Sequence, residues 1–182
     1  LLPAIERLLN AWNTSGGDES EIEDLSNAIR GVELHRDTFH STYTAVINLL
    51  LQRGVSSNSA KTLAGTWLIQ GDFLLLPFDG DFEYVIGNPP YVRQELIPAA
   101  LLAEYRRRYQ TLYDRADLYV PFIERALSLL STGGHLGFIC ADRWMKNRYG
   151  GPLRQLVADN FHLQVYVDMT DVPAFHTNVV AY

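Results

Sequence analysis

Asn88-Pro89-Pro90-Tyr91 is the stretch whose residue types and spacing are best suited to chemistry. It follows an apolar run, Tyr84-Val85-Ile86, and a glycine, Gly87. Two consecutive prolines cannot donate to a sheet ladder, so a buried strand must end here. The residue before each proline is pushed into an extended conformation. The Asn88 side chain and the Pro89 carbonyl are therefore hydrogen-bonding groups held on a stiff loop at the carboxyl end of a strand, with Tyr91 as an aromatic tip. In open α/β sheets that edge is where ligands bind. Taken alone, Asn-Pro and Pro-Pro are also ordinary loop punctuation.

Two carboxylates, Glu33 and Asp72, fall at the ends of successive strand-like runs. An acid in that position commonly accepts hydrogen bonds from a ribose or an adenine amino group. Phe73, next to Asp72, offers a flat apolar surface fit to stack on a base. The structural alternative is that Glu33 caps the following helix and Phe73 is core. Cys140 lies in an apolar run and reads as a buried, inert thiol. The five histidines are scattered, with no metal-site spacing.

The elements that must position these residues can be read from periodicity. Apolar residues at 1, 2, 5, 8, 9 and 12 predict a helix over 1–12. A Gly/Ser/Asp loop follows over 13–20, then a linker or helical turn over 21–28. A strand over 29–34 leads into a helix over 37–52, with Gly54 as its stop. Residues 55–62 read as a polar loop, and 66–69 and 81–86 as strands. An arginine-rich helix over 98–109 precedes an amphipathic helix over 117–130, a tight turn at Thr132-Gly133-Gly134 and a buried strand over 135–141. A helix over 152–160 and strands over 163–168 and 178–182 complete the chain. Strands alternating with helices predict a mostly parallel, doubly wound α/β sheet, and the short final connection allows an antiparallel last strand.

The 182 residues are 47% hydrophobic and 20% charged, which suits one globular domain with a real core. The apolar runs are too short to span a membrane, and no cleavable signal pattern opens the chain. A single cysteine rules out an internal disulfide and fits a cytoplasmic location. The net charge is −6, whereas a free-standing DNA-binding domain is usually basic. Two local basic clusters, Arg106, Arg107, Arg108 and Arg115, then Arg143, Lys146, Arg148 and Arg154, are either solvated helix faces or contacts for phosphates near the Asn88 loop.

Three strand ends taken together carry a resemblance. They are Gly31-Val32-Glu33-Leu34, Gly71-Asp72-Phe73 and Gly87-Asn88-Pro89-Pro90-Tyr91. The chain resembles the amino-group DNA methyltransferases that use S-adenosylmethionine. It looks most like the adenine-specific enzymes of type II restriction–modification systems in which methylase and nuclease are often fused. The likeness continues through Ala116-Asp117-Leu118-Tyr119 with Phe122, Gly133-Gly134-His135-Leu136-Gly137-Phe138-Ile139 and Leu153-Arg154, and ends near Phe175. It implies a Rossmann-like class I methyltransferase fold. These enzymes carry a Gly-rich loop after their first strand, and none is present here. The expectation is a partial catalytic domain over 1–182 that starts just after that loop, lacks the first strand and lacks the domain that reads target sequence.

The resemblance assigns roles. The exocyclic amine of adenine is a poor nucleophile, and its base must be flipped out of double-stranded DNA to be reached. Asn88 and Pro89 accept the two N–H bonds of that amine, which localises its lone pair toward the sulfonium methyl. Pro90 completes the turn. Tyr91 stacks on the flipped base, with Phe175 as a second wall. Glu33 binds the ribose hydroxyls of S-adenosylmethionine, Asp72 its adenine amine and Phe73 its ring face, and Asn88 also counts among the cofactor-binding residues. Asp117 either lines that pocket or caps a helix. Two other readings stay in competition. Methyltransferases of glutamine side-chain amides use the same loop, although the arginine-rich insertion over 92–115 favours DNA over that substrate or RNA. The chain could also be a non-catalytic binding module, and alone it is expected not to methylate anything.

Overall fold

The computed structural model describes residues 1–77 and 80–169. They divide into two compact units, one up to Leu76 and one from Pro77 onward.

In the first unit, α1 (Leu2–Thr14) buries Ile5 and Leu9, one helical turn apart. A 3₁₀ segment, Glu19–Asn27, leads to β1 (Gly31–Glu33) and α2 (Arg36–Gln52), which buries Val46 and Leu50. Gly54 ends α2 as the sequence predicts. Its φ of 89° is the left-handed conformation glycine adopts without penalty. Val55 N–H then reaches back to the Leu50 carbonyl (3.1 Å) and Gly54 N–H to Leu51 (3.0 Å), closing a Schellman motif.

The polar loop expected over 55–62 is instead the start of a helix, α3 (Ser57–Trp67). Ser56 is its N-cap, and its side chain accepts from Ser59 N–H. The polar opening is thus cap chemistry. Behind it, Ala60, Leu63, Ala64 and Trp67 repeat at helical spacing and are fully buried. The Trp67 indole N–H donates to the Leu25 carbonyl at 2.8 Å, tying α3 to the 3₁₀ segment. β2 (Leu68–Gln70) pairs parallel with β1, with Val32 opposite Ile69 and Glu33 opposite Gln70.

In the second unit, β3 (Phe82–Gly87) pairs parallel with β4 (Leu130–Phe138). Between them the chain runs through α4 (Ala99–Arg108) and α5 (Tyr119–Ser128). Phe82 faces Leu130 and Tyr84 faces His135, so Thr132-Gly133-Gly134 is an irregularity inside β4 and not a turn before it. Gly133, with φ 82°, carries the kink. α5 buries Tyr119, Val120, Ile123, Ala126 and Leu127 and packs against β4. It also packs against α7 (Gly151–Asn160), which follows a short helix, α6 (Arg143–Lys146).

Two further expectations change. Tyr84 and Ile86 were expected in a buried strand but are 69% and 66% exposed, because strand pairing alone buries neither face without a covering layer. The sequence predicts a strand over 163–168, but these residues are in no strand or helix, and Val165 and Val167 are exposed. Periodicity can favour an extended chain, but a ladder needs a partner. The last expected strand, 178–182, and Phe175 lie outside the described residues. Every observed strand pair is parallel, in an α/β arrangement compatible with a methyltransferase fold.

Candidate active site

The predicted site residues fall into two groups, one in each unit. In the first, β1 and β2 are adjacent and parallel, so Glu33 and Asp72 emerge at the same sheet edge. Gly71 N–H donates to the Glu33 carbonyl at 3.0 Å and holds the two strand ends together. Glu33 Oε1 accepts from His35 N–H at 2.8 Å, so the acid does brace the start of α2. Its second carboxylate oxygen has no hydrogen bond among the described residues. Asp72 Oδ1 accepts from Leu74 N–H at 2.8 Å, which fixes the turn that carries Phe73. Phe73 is half-buried there, while Leu74 is the core residue.

In the second unit the Asn88 turn begins where the ladder stops. The last bond at this end of the pair runs from Ile139 N–H to the Gly87 carbonyl, at 3.2 Å. Pro89 is buried and anchors the turn, whereas Asn88 and Pro90 are exposed. Neither the Asn88 side chain nor the Pro89 carbonyl makes a hydrogen bond among the described residues. The turn thus carries two acceptors without a partner among the described residues. Tyr91, 43% exposed, lies beside the fully buried Tyr119, with ring centroids 5.9 Å apart and planes tilted by 45°. Tyr119 shares a hydrogen bond with Tyr149, hydroxyl to hydroxyl, at 3.0 Å. Burial raises the pKa of both Tyr91 and Tyr119, so both remain neutral phenols.

The segment after Tyr91 is strapped to the start of α5. Leu118 N–H donates to the Val92 carbonyl at 2.9 Å. Gln94, nearly buried, donates through Nε2 to the Asp114 carbonyl and accepts from Arg106, both at 2.6 Å. Asp117 is thereby brought beside the Asn88 loop. Its carboxylate makes no cap to α5, whose N-cap, Leu118, has no side-chain cap bond. It faces Arg93 and Arg143 instead. Burial raises its pKa, and the two guanidinium groups oppose that rise.

The two basic clusters resolve into different roles. Arg107 and Arg108 pair with Glu104, Lys146 pairs with Asp142, and Arg154 donates to the Trp144 and Asn147 carbonyls. Arg106 is held by Gln94. Arg115, Arg143 and Arg148 make no hydrogen bond or ion pair among the described residues, and neither does Arg93, which lay outside the two clusters. Its signal in sequence was only its place two residues beyond Tyr91. No helix among the described residues is long and apolar enough to cross a membrane.

Residues 11–175 match the family described as Eco57I restriction-modification methylase. The chain belongs to this family. Two relatives match it over its full length. It is 68% identical over 182 residues to the type II methyltransferase M.PaeR7I of Pseudomonas aeruginosa, covering all of this chain and 32% of that protein. It is 51% identical over 183 residues to the type II methyltransferase M.XhoI of Xanthomonas vasicola, covering all of this chain and 34% of that one. A more distant likeness, 37% over 98 residues, covers 50% of this chain and 10% of the type II restriction enzyme and methyltransferase RM.Eco57I of Escherichia coli. The chain thus spans about a third of the length of the first two curated relatives it matches.

Proposed function

We propose that the protein carrying this chain transfers a methyl group from S-adenosylmethionine to the N6 amine of an adenine flipped out of double-stranded DNA. The observation that carries the reading is the Asn88-Pro89 turn, with its two unspent acceptors ending a parallel strand inside a sequence of this family. An amine with two N–H bonds needs two acceptors in one fixed arrangement. Asn88 Oδ1 and the Pro89 carbonyl supply them, and so favour a tetrahedral nitrogen whose lone pair is free to attack. Tyr91, backed by Tyr119, is the stacking surface for the extruded base, and Phe175 its second wall. An amide cannot act as an ordinary general base, so the amine's proton leaves after transfer. Catalysis is then positioning and electrostatics.

The cofactor supplies an electrophilic methyl on a sulfonium centre. The first unit suits its nucleoside chemically: Glu33 keeps one carboxylate oxygen for ribose hydroxyls, Asp72 stands at the same edge for an adenine amino group, and Phe73 presents its ring. Asp117 contributes from beside the Asn88 loop. Residues 1–182 on this reading are part of a Rossmann-like catalytic domain in a cytoplasmic protein, with target recognition, and a fused or associated nuclease, supplied outside this stretch.

The test is to incubate the full-length protein with unmethylated plasmid and S-adenosylmethionine, and to look for N6-methyladenosine by mass spectrometry after digestion to nucleosides. Asn88→Ala should cut the rate by at least about 10²-fold while cofactor affinity is unchanged. A wild-type protein that binds cofactor but leaves DNA adenines unmodified would end the DNA reading and move the substrate to a protein or RNA amine.

A further inference from the structure

Beside the Asn88 loop, the second unit contains a polar cavity of about 280 Å³, lined by Arg93, Glu95, Arg115, Asp117, Arg143, Asn147 and Tyr149. Its three guanidinium groups outnumber its two carboxylates, in a chain whose net charge is −6. The arginines are drawn from three separate segments: the one after Tyr91, the one before α5, and α6. The first two segments are tied to each other and the third is braced by Arg154. Leu118 N–H holds the Val92 carbonyl, Gln94 holds the Asp114 carbonyl, and Arg154 clamps the Trp144 and Asn147 carbonyls around α6. Five neighbouring cations, Arg106, Arg107, Arg108, Lys146 and Arg154, are engaged within the protein. The three in the cavity make no hydrogen bond or ion pair among the described residues.

From this geometry we infer that the Arg93–Arg115–Arg143 cavity is a phosphodiester site, which grips the DNA backbone next to the nucleotide that reaches Tyr91. The inference rests on the proposed DNA substrate. Guanidinium forks match phosphate oxygens two at a time, and three of them converging on one cavity suit an anion with several acceptor oxygens. The Asp117 carboxylate lines the same cavity and feels the charge of Arg143 and Arg93, but one carboxylate does not neutralise all three guanidinium groups. The cavity is slightly below the ~300–1,000 Å³ typical of ligand clefts. That is room for a phosphodiester unit and water. A base drawn out of the stack stays covalently tied to its own phosphates, so a clamp beside the base-stacking tyrosine holds the strand in its opened form and offsets part of the unstacking cost.

The test uses the full-length protein and a duplex containing its site. Dissociation constants are measured across a salt series for wild type, Arg115→Gln, Arg143→Gln and the double variant. The affinity for S-adenosylmethionine and the thermal midpoint are measured alongside. Each lost phosphate contact should reduce the slope of log affinity against log salt by about one. The double variant, which gives up the one phosphate held in the cavity, should lose about one, while cofactor affinity holds. Arg115→Lys should keep the slope, and it also serves where the glutamine variants fold poorly. An unchanged slope in the double variant, or a loss confined to cofactor affinity, would overturn the inference. Failure of the adenine reading looks different: wild type would bind duplex with a normal slope and leave no methyl group on it.

Discussion

At the scale of single residues, the Asn88 turn leaves its acceptors without hydrogen-bond partners among the described residues. Exposed polar groups at a strand end ordinarily find partners nearby, in a cap or an Asx-turn. Glu33 and Asp72 each do so through one carboxylate oxygen. Asn88 does not, because Pro89 and Pro90 provide no N–H for its side chain to meet. Cys140 is the opposite case. It is half-buried, and burial together with the Asp142 carboxylate pushes its thiol up to about 11. A thiol held that high is almost wholly protonated at neutral pH. Alkylation by iodoacetamide at pH 7.5 should therefore be far slower than for a free cysteine, and should accelerate as the pH approaches 11. Rapid labelling at pH 7.5 would contradict the placement.

At the scale of elements, α4 shows how arginines that look like DNA contacts serve the helix instead. Glu104 accepts from Arg107 Nη2 at 2.8 Å and Arg108 Nε at 2.6 Å, one turn along. These hydrogen bonds hold its carboxyl down to about 2, against an ordinary value of 4.5. The sign follows from linkage. A carboxyl whose folded-state pKa is depressed adds stability that is fully present above 4.5 and is lost as the pH falls toward 2. Glu104→Gln should therefore lower the thermal midpoint slightly at pH 7. The difference should shrink through that window and in high salt, since the pair is exposed. Thermal melts at pH 7, 4 and 2.5 would check this, and a gap that stayed constant with pH would count against it. In α3 the polar start hides a helix. Ser57, Asn58 and Ser59 look like loop, yet Ala60, Leu63, Ala64 and Trp67 carry the helical period one turn later. The cap and the core face had to be read together.

At the scale of the whole molecule, each unit carries its own buried cluster. That of the first is Ile5, Leu9, Val46, Leu50, Leu63 and Trp67, with Trp67 both fully buried and hydrogen-bonded to Leu25. Trp67→Ala should cost about 3–5 kcal/mol. It should also raise amide exchange over α1, α2 and α3, where the side chains that lose contact lie. If exchange rose only in the second unit, the assignment of this core would be wrong. The two groups of site residues divide the same way, with Glu33, Asp72 and Phe73 on the first unit and Asn88, Tyr91 and Asp117 on the second. The nucleoside-type and amine-type chemistries of the proposed reaction are thus carried by different cores.

The amino-acid sequence by itself determined what depends on neighbours along the chain. The Asn-Pro-Pro-Tyr turn, the Gly54 stop, the helical period of α2 and α5 and the acids at the ends of β1 and β2 are set by backbone sterics and side-chain spacing within a few residues. Family membership follows from the same local motifs. Only tertiary structure decided the rest. It left residues 163–168 outside any strand, exposed Tyr84 and Ile86, spent Arg106, Arg107, Arg108, Lys146 and Arg154 on internal partners, and gathered Arg93, Arg115 and Arg143 around one cavity. Each of these outcomes depends on which groups from distant parts of the chain meet in space. A charge or an apolar side chain has no fixed role until its partner, or the lack of one, is settled by packing.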